Sequence, residues 1–305
     1  MRKVFNDALL QEQFDKDGYV RVPFISKERV EKLKQAFFNT LPQSGGTIIP
    51  EDVLTVDVPD ITYDFTFIDK SPEYKRLVFD VIAKEFKPEV NKYLADYKPI
   101  IANFIRKKTD SGEVPLHQNW AFVEERKCTS VSIWCPLVDS TIENGTLQVV
   151  PGSHKRFGEF RGPMVPWQLD NIKNEIIENY LVPLETKAGD CVILDDSIIH
   201  YSALNKTNHL RLAIQLILIP AEFYSVHYHL DPQNPTEIKI WEVDKDFYMQ
   251  FNPWMKPENT KTLGSIPYSQ KFLNVKEFET VLRGKKMDGQ PKNILSKLKN
   301  LFAEA

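Results

Sequence analysis

Near the start of the chain, the spacing of apolar residues predicts a helix over residues 6–15, a strand at GYVRVPF and a second helix over residues 26–41. Ser26 is a favourable N-cap, and apolar side chains then recur at helical intervals from Val30 onwards until Pro42 ends the helix. Residues 71–93 return to the same period, which predicts a third helix.

Beyond Pro99 the pattern changes to short runs of β-branched and aromatic residues separated by turn signals. These runs are IIANFIRKK, SVSIWCPLVD, TLQVVPG, CVILDD and LRLAIQLILI. No helical segment separates most of them, so the pattern favours a jelly roll over alternating βαβ units. We therefore expect a mainly β fold with flanking helices.

We expect residues 1–305 to form a single domain, since no linker or internal repeat divides the chain. A helical and loop region covers residues 1–98, the jelly-roll core covers residues 99–222 with an insertion at 157–183, and a C-terminal extension covers residues 223–305. The extension is polar and aromatic and is predicted to pack on the outside. The loop at residues 43–71 and the insertion are candidate substrate lids.

Composition and charge exclude several function classes. Hydrophobic residues make up 42% of the chain and charged residues 27%, as in ordinary globular proteins. The net charge of -3 gives no electrostatic footprint for nucleic acid, and no apolar run has the length of a membrane span. The three cysteines and the polar N-terminus indicate reduced thiols and no export signal, so we expect a cytoplasmic protein.

The most informative histidine is His117, because HQNW places a possible oxygen ligand, Asn119, two residues away on the same side of an extended segment. His200 follows the apolar run CVILDD, and antiparallel strands can return it beside His117. Two imidazoles and one carboxylate on one face form the iron site of non-haem Fe(II) oxygenases, although here the third group is an amide. Taken alone, the spacing is a weak signal, and a histidine satisfied at the surface or in the core is the commoner case.

Longer motifs make the chain resemble a known family. The stretches LHQNWAFVEERKCTSVSIWCPLVDSTIENGTLQVVPGSHK and AGDCVILDDSIIHYSALNKTNHLRLAIQLIL, together with the N-terminal DKDGYVRVPFISKERVEKLK, resemble the phytanoyl-CoA dioxygenase family of Fe(II)- and 2-oxoglutarate-dependent oxygenases. The resemblance implies a double-stranded β-helix core of the cupin-like, jelly-roll type. It also implies that Fe(II) is the metal, that 2-oxoglutarate is the cosubstrate, and that the enzyme uses molecular oxygen to hydroxylate a small organic substrate.

The resemblance assigns roles to individual positions. His117 and His200 match the two metal histidines, and Asn119 stands where the family normally has a metal-binding aspartate. Arg211 matches the arginine that pairs with the distal carboxylate of 2-oxoglutarate, for which its planar fork is suited. Further positions are expected around the cosubstrate and the substrate: Ser202 and Asn103 for 2-oxoglutarate, and Gln118, Trp120 and Trp134 for the substrate pocket.

Asn119 leaves alternatives open, because an amide offers a metal only a neutral carbonyl oxygen. One alternative is that Asn119 still ligates the metal weakly and supports oxygenation. Another is that the site has changed its chemistry or its metal, and the last is that metal function is lost. In the last case the chain is a catalytically silent jelly-roll binding protein or an inactivated variant. Halogenation ranks low, since asparagine is larger than the residues that leave room for a halide.

The remaining candidates have plainer interpretations. His154 within PGSH is expected to bond to turn backbone, and the pair His227 and His229 is expected to be solvated or packed. The basic stretch VLRGKKMDGQPKNILSKLKNLF is either an amphipathic contact helix or a tail packed on its own domain.

Overall fold

Three N-terminal helices cover the outer face of a six-stranded antiparallel sheet. The structure is a computed structural model, and it describes residues 2–48, 63–253, 256–257 and 260–284. Its helices are α1 (Ala8–Asp17), α2 (Lys27–Thr40), α3 (Pro72–Tyr93), α4 (Lys173–Asn179), α5 (Lys245–Gln250) and α6 (Val275–Leu282). Ser26 caps α2 by accepting a hydrogen bond from the Arg29 amide, as predicted from the sequence.

The strands form three sheets in the described part of the chain. The six-stranded sheet has the order β1 (Tyr19–Pro23), β8 (Asp190–Asp195), β5 (Val131–Pro136), β10 (Arg211–Pro220), β3 (Tyr97–Lys107) and β2 (Asp64–Phe65). The four-stranded sheet has the order β4 (Val114–His117), β9 (His200–Ser202), β6 (Gln148–Val149) and β7 (Val182–Pro183). The three-stranded sheet has the order β11 (Ser225–Leu230), β12 (Glu237–Val243) and β13 (Lys261–Pro267).

The six-stranded and four-stranded sheets face each other across a shared apolar layer. Trp134 and Val192 from the larger sheet pack with Val149 from the smaller one. Two antiparallel sheets enclosing such a layer form a jelly roll, so the predicted fold class is confirmed. The strand predicted at GYVRVPF is β1, and it joins the larger sheet; β2, at the other edge of that sheet, comes from a region that was expected to be a loop.

The C-terminal region differs from the sequence-based expectation. Instead of an external polar extension, it contributes the sheet β11–β13 and the helices α5 and α6, whose Tyr228, Ile240, Phe251 and Phe278 are buried. Polar residues alternate with the apolar ones in the sequence of this region, so the apolar face that packs on the jelly roll is hard to recognise from the sequence. Most of the basic C-terminal stretch, and residues 49–62 of the candidate lid at 43–71, lie outside the described residues.

None of the described helices combines the length and the apolar character that crossing a bilayer requires.

Candidate active site

The two candidate histidines lie side by side because β4 and β9 are antiparallel neighbours. His117 is directly opposite His200 in the register, and their ring centroids are 4.1 Å apart. His200 is buried and His117 is partly buried. The fold therefore brings together two residues that are far apart in the sequence, as the motif analysis predicted.

Both rings are fixed in the same tautomer. Nδ1 of His117 lies 2.7 Å from the Pro115 carbonyl oxygen, and Nδ1 of His200 lies 2.9 Å from that of Ile198. A carbonyl oxygen only accepts, so each Nδ1 carries the proton and each Nε2 keeps a free lone pair. Burial lowers the pKa of both histidines, and the neighbouring His117 lowers that of His200 further. Both rings are thus held in the neutral form that binds metals.

Asn119 lies next to this pair with its amide group oriented. Its Nδ2 donates to Ser132 Oγ at 3.1 Å and to Asp196 Oδ1 at 2.8 Å. Because the amide nitrogen faces Ser132 and Asp196, the Asn119 carbonyl oxygen is turned away from them, and Asn119 lines the same cavity as His117 and His200. The contact with Asn119 raises the pKa of His117, against the effect of burial. Among the described residues, no three His, Cys, Asp or Glu side chains form a metal cluster.

Asp196 is the group behind Asn119 that the sequence analysis missed. It follows β8, is 0% exposed, and accepts a hydrogen bond from Ser132 Oγ at 2.6 Å as well as the one from Asn119. Burial raises the pKa of Asp196 to about 7, while the hydrogen bonds from Ser132 and Asn119 oppose the shift. The only sequence signal was its place in the DDS turn, four residues before His200.

Arg211 occupies the other end of the site. Its Nη2 donates to the Gly145 carbonyl oxygen at 2.9 Å and to Ser202 Oγ at 3.0 Å, whereas Nε and Nη1 are buried without a partner. Burial lowers the pKa of Arg211 to about 9. A buried guanidinium with two unused donors indicates a site for an anion with two oxygens.

Ser202 holds this cation in place. Its hydroxyl donates to the Gly145 carbonyl oxygen at 2.7 Å and accepts from both Arg211 and Lys107. Lys107 is 0% exposed and lies opposite Arg211 in the β3–β10 register. Burial and the charge of Arg211 lower the pKa of Lys107 to about 6. The charge of Arg211 thus opposes a second positive charge on Lys107, so Arg211 is the cation that an anion at this end would pair with.

All the residues predicted for the site line one cavity of about 230 Å³. These residues are Asn103, His117, Gln118, Asn119, Trp120, Trp134, His200, Ser202 and Arg211. Asn103 donates to Gln215 Oε1 at 3.0 Å across the β3–β10 register, and its own Oδ1 has no partner. The guanidinium carbon of Arg211 lies 5.6 Å from the Trp134 ring centroid.

The insertion at residues 157–183 forms a second, wider cavity of about 570 Å³ that shares His117, Gln118 and Trp120 with the first. Gln118 connects the two, since its Oε1 accepts from Trp167 Nε1 at 2.8 Å and its Nε2 donates to the Ser197 carbonyl oxygen at 2.6 Å. The prediction that the insertion borders the site therefore agrees with its position, whereas its movement as a lid stays a prediction.

A buried ion pair, also missed from the sequence, joins the insertion to the metal-site turn. Arg161 donates to both carboxylate oxygens of Glu125, at 2.9 and 2.5 Å, and its Nε donates to the Asn119 carbonyl oxygen of the main chain at 2.7 Å. No local pattern pairs these two residues, which are 36 positions apart.

The other histidines lie outside the site. His154 bonds to the Asp15 carbonyl oxygen at 3.2 Å, consistent with a structural role. His227 and His229 are buried on β11 among aromatic rings, so they are packed rather than solvated.

Comparison with known proteins agrees with this geometry. The sequence profile of the phytanoyl-CoA dioxygenase (PhyH) family matches residues 14–213. The chain is 30% identical over 201 residues to the phytanoyl-CoA dioxygenase domain-containing protein 1 homolog of Dictyostelium discoideum, covering 63% of this chain and 69% of that protein. It is 34% identical over 115 residues to phytanoyl-CoA dioxygenase 1 of rice, Oryza sativa subsp. japonica, covering 36% of this chain and 40% of that protein.

Among solved structures, the fold is similar to that of SnoK, a non-haem α-ketoglutarate-dependent carbocyclase from nogalamycin biosynthesis. The TM-score is 0.51 at 16% identity, and the match covers 84% of this chain and 96% of SnoK. At this identity the likeness concerns the fold alone.

Proposed function

The chain belongs to the phytanoyl-CoA dioxygenase family of non-haem iron, 2-oxoglutarate-dependent dioxygenases, and on this premise we propose that it hydroxylates a small organic substrate. The reaction consumes one molecule each of oxygen and 2-oxoglutarate. One oxygen atom enters a C–H bond of the substrate, and the other enters succinate as 2-oxoglutarate loses carbon dioxide.

One observation carries the proposal: the cavity has metal donors at one end and an unpaired cation at the other. His117 and His200 present free Nε2 atoms beside the Asn119 carbonyl, and Arg211 presents two unpartnered nitrogens. All four residues line the same cavity. A divalent metal chelated by a dicarboxylic acid complements both ends.

His117, His200 and Asn119 would hold Fe(II) at the first end. When bound, Fe(II) with 2-oxoglutarate supplies the oxygen activation that the protein itself cannot perform. Arg211 binds and orients the distal carboxylate of 2-oxoglutarate, and Ser202 keeps the guanidinium in position. Asn103, with its unpartnered Oδ1, is a further polar contact for the cosubstrate.

The rest of the cavity excludes water and sets the substrate class. Aromatic and aliphatic side chains, among them Phe65, Phe67, Ile105, Trp120 and Trp134, form much of its wall. Because about 230 Å³ must also hold 2-oxoglutarate, only a small substrate, or the reacting end of a larger one, fits inside. The wider cavity along residues 157–173 then takes the remainder of the substrate.

An anaerobic titration tests the proposal. Fe(II) and 2-oxoglutarate are added to the protein while the visible charge-transfer band of the chelate is followed, and succinate is measured after oxygen is admitted. We expect the band and succinate in the wild type and neither in His200→Ala, whereas His209→Ala, at an exposed position, serves as the matched control.

The outcomes separate the proposal from its alternatives. Binding of 2-oxoglutarate with no dependence on Fe(II), and no band, supports a catalytically silent binding protein. A band-free protein that retains a different metal at His117 and His200 supports a changed chemistry. Either result contradicts an iron oxygenase.

A further inference from the structure

A buried carboxyl that forms no ion pair with a described residue lies behind the candidate metal site. Asp196 is 0% exposed and forms no salt bridge with any residue in the described ranges. A carboxylate removed from water is costly unless a positive charge lies close to it. At the opposite end of the cavity, Arg211 is a buried cation whose Nε and Nη1 have no partner. The charge of Arg161 acts on Asp196, but the Arg161 guanidinium is already paired with Glu125. A metal cation at one end of the cavity and a dicarboxylate at the other would therefore complement Asp196 and Arg211.

The Asp196 carboxyl reaches the metal site through a single hydrogen bond. Its Oδ1 accepts from Ser132 Oγ at 2.6 Å and from Asn119 Nδ2 at 2.8 Å. Because the Ser132 hydroxyl gives its proton to Asp196, it can only accept from the Asn119 amide, at 3.1 Å. Both partners on this side are acceptors. The amide nitrogen must therefore face them, and the amide oxygen is turned to the opposite side, in the cavity that His117 and His200 also line.

We infer that Asp196 is a positioning residue for the metal centre and supplies from behind what an aspartate at position 119 would supply directly. It locks the Asn119 carbonyl toward His117 and His200, and it places a carboxylate one hydrogen bond away from the ion. A hydrogen bond from the amide to a carboxylate also polarises the amide oxygen and makes it a stronger ligand. The inference rests on the proposed function, since it concerns the same metal site.

A purely structural Asp196 would make a different prediction. It would only tie the turn between β8 and β9 to β5 through Ser132, and its loss would lower the stability of the fold without a specific effect on metal affinity. The two interpretations differ in how substitutions at positions 119 and 196 combine.

The test measures Co(II) binding, by isothermal titration and by the visible spectrum of the bound ion, in the absence of substrate. The variants are Asp196→Asn, Asp196→Leu, Asn119→Asp and the exchange Asn119→Asp/Asp196→Asn. Asp195→Asn is the matched control, because Asp195 is 1% exposed and adjacent in sequence but bonds to Ser197. Thermal unfolding of each metal-free variant measures the effect on the fold separately.

We expect Asp196→Leu, which removes the acceptor, to weaken Co(II) binding by about tenfold to a hundredfold, and Asp196→Asn by less. In Asn119→Asp alone, two carboxyls face each other at hydrogen-bonding distance and repel, so the gain in affinity is small. In the exchange variant, the amide now at position 196 donates from behind to the carboxylate now at position 119. The exchange variant is expected to bind Co(II) at least as tightly as the wild type, with affinity above that of either single variant.

The outcomes distinguish this inference from the function on which it rests. If the wild type binds Co(II) and Asp196→Asn and Asp196→Leu bind it equally well, the inference fails and the metal site stands. An exchange variant whose affinity is the sum of the two single effects also overturns it. If the wild type binds no Co(II), the proposed function fails, and the inference fails with it. Should Asp196→Leu not fold, Asp196→Asn and the exchange variant still decide.

Discussion

Replacing Arg211 with methionine is expected to weaken the binding of 2-oxoglutarate strongly without destabilising the free protein. The side chain is 2% exposed, and its hydrogen-bond partners among the described residues are the Gly145 carbonyl oxygen and Ser202 Oγ. Those two atoms already bond to each other at 2.7 Å, so removing the guanidinium leaves no new buried polar group without a partner. Since the substitution removes an unpaired buried charge, the metal-free and ligand-free protein should be as stable as the wild type or more so.

The loss of affinity follows from the two unpartnered nitrogens, Nε and Nη1. Each hydrogen bond between charged groups contributes roughly 1.5–3 kcal/mol, so two of them contribute about 3–6 kcal/mol. At about 1.4 kcal/mol per factor of ten, Arg211→Met should weaken 2-oxoglutarate binding by roughly 10²- to 10⁴-fold. Arg211→Lys keeps the charge but loses the fork, and an intermediate loss is expected.

Thermal unfolding with and without 2-oxoglutarate measures this effect, with Mn(II) present as a redox-stable metal. At a ligand concentration of about 100 times Kd, binding stabilises the wild type by about 2.7 kcal/mol, which for a chain of this length raises Tm by about 4 °C. At the same concentration Arg211→Met should show a rise below about 1 °C. Arg21→Met is the matched control, because Arg21 is exposed on β1 of the same sheet. Binding by Arg211→Met within threefold of the wild type would refute the reasoning.

Three further outcomes are expected. Gly145 has φ +73°, and a Cβ added there would lie 2.1 Å from a facing carbonyl oxygen, so Gly145→Ala should lose both stability and 2-oxoglutarate affinity in thermal-shift titrations. The control Gly46→Ala, at φ +81° with open space around it, should lose only about 1 kcal/mol of stability. Arg161→Met should lower the free energy of unfolding in urea by about 3–5 kcal/mol, because it leaves buried Glu125 unpaired. Adding Glu125→Gln to the same chain should restore part of that stability, and an unchanged unfolding midpoint in Arg161→Met would contradict the ion-pair argument. Burial and the neighbouring histidine lower the pKa of His227 to about 3, below the ordinary value of 6.5, so the unfolded chain binds more protons between these values and stability should fall as the pH drops below 6.5. His227→Phe should flatten this pH dependence. If urea unfolding at pH 5 and pH 7 gives the two proteins the same change in stability, His227 is not its source.

The sequence predicted best what local rules determine. Ser26 at the start of α2 and the apolar period of α3 are local signals, and both helices begin within one residue of the predicted position. The β runs after Pro99 were also recognised, because alternating turn signals and β-branched residues are independent of tertiary contacts. The motifs around His117 and His200 then placed two distant residues together, since they carried family information that spacing alone lacks.

The C-terminal sheet was missed for a physical reason. Along β11 every residue is buried, the two histidines included, so the strand lacks the alternation of a half-exposed strand. Its buried His227 and His229 are polar residue types, and the sequence analysis could not decide whether they are solvated or packed. Burial there is possible because aromatic rings from α5 and β12 surround the imidazoles.

The metal site shows why a sequence motif alone does not determine the chemistry of the site that it forms. At position 119 the sequence shows only a neutral amide where a carboxylate is expected, and from the motif alone the site looks deficient by one charge. A metal ion, however, responds to the charge near it in space, and the fold brings Asp196 to Asn119 from 77 residues away, with Ser132 bonded to both. Neither partner is detectable from HQNW, because their meeting depends on the pairing of β5 with β8 and on the turn that follows β8. If this arrangement supplies the missing charge, a substitution in the ligand triad is not by itself evidence of lost function. The relevant quantity is then the charge of the whole cavity, and the exchange of residues 119 and 196 measures it directly.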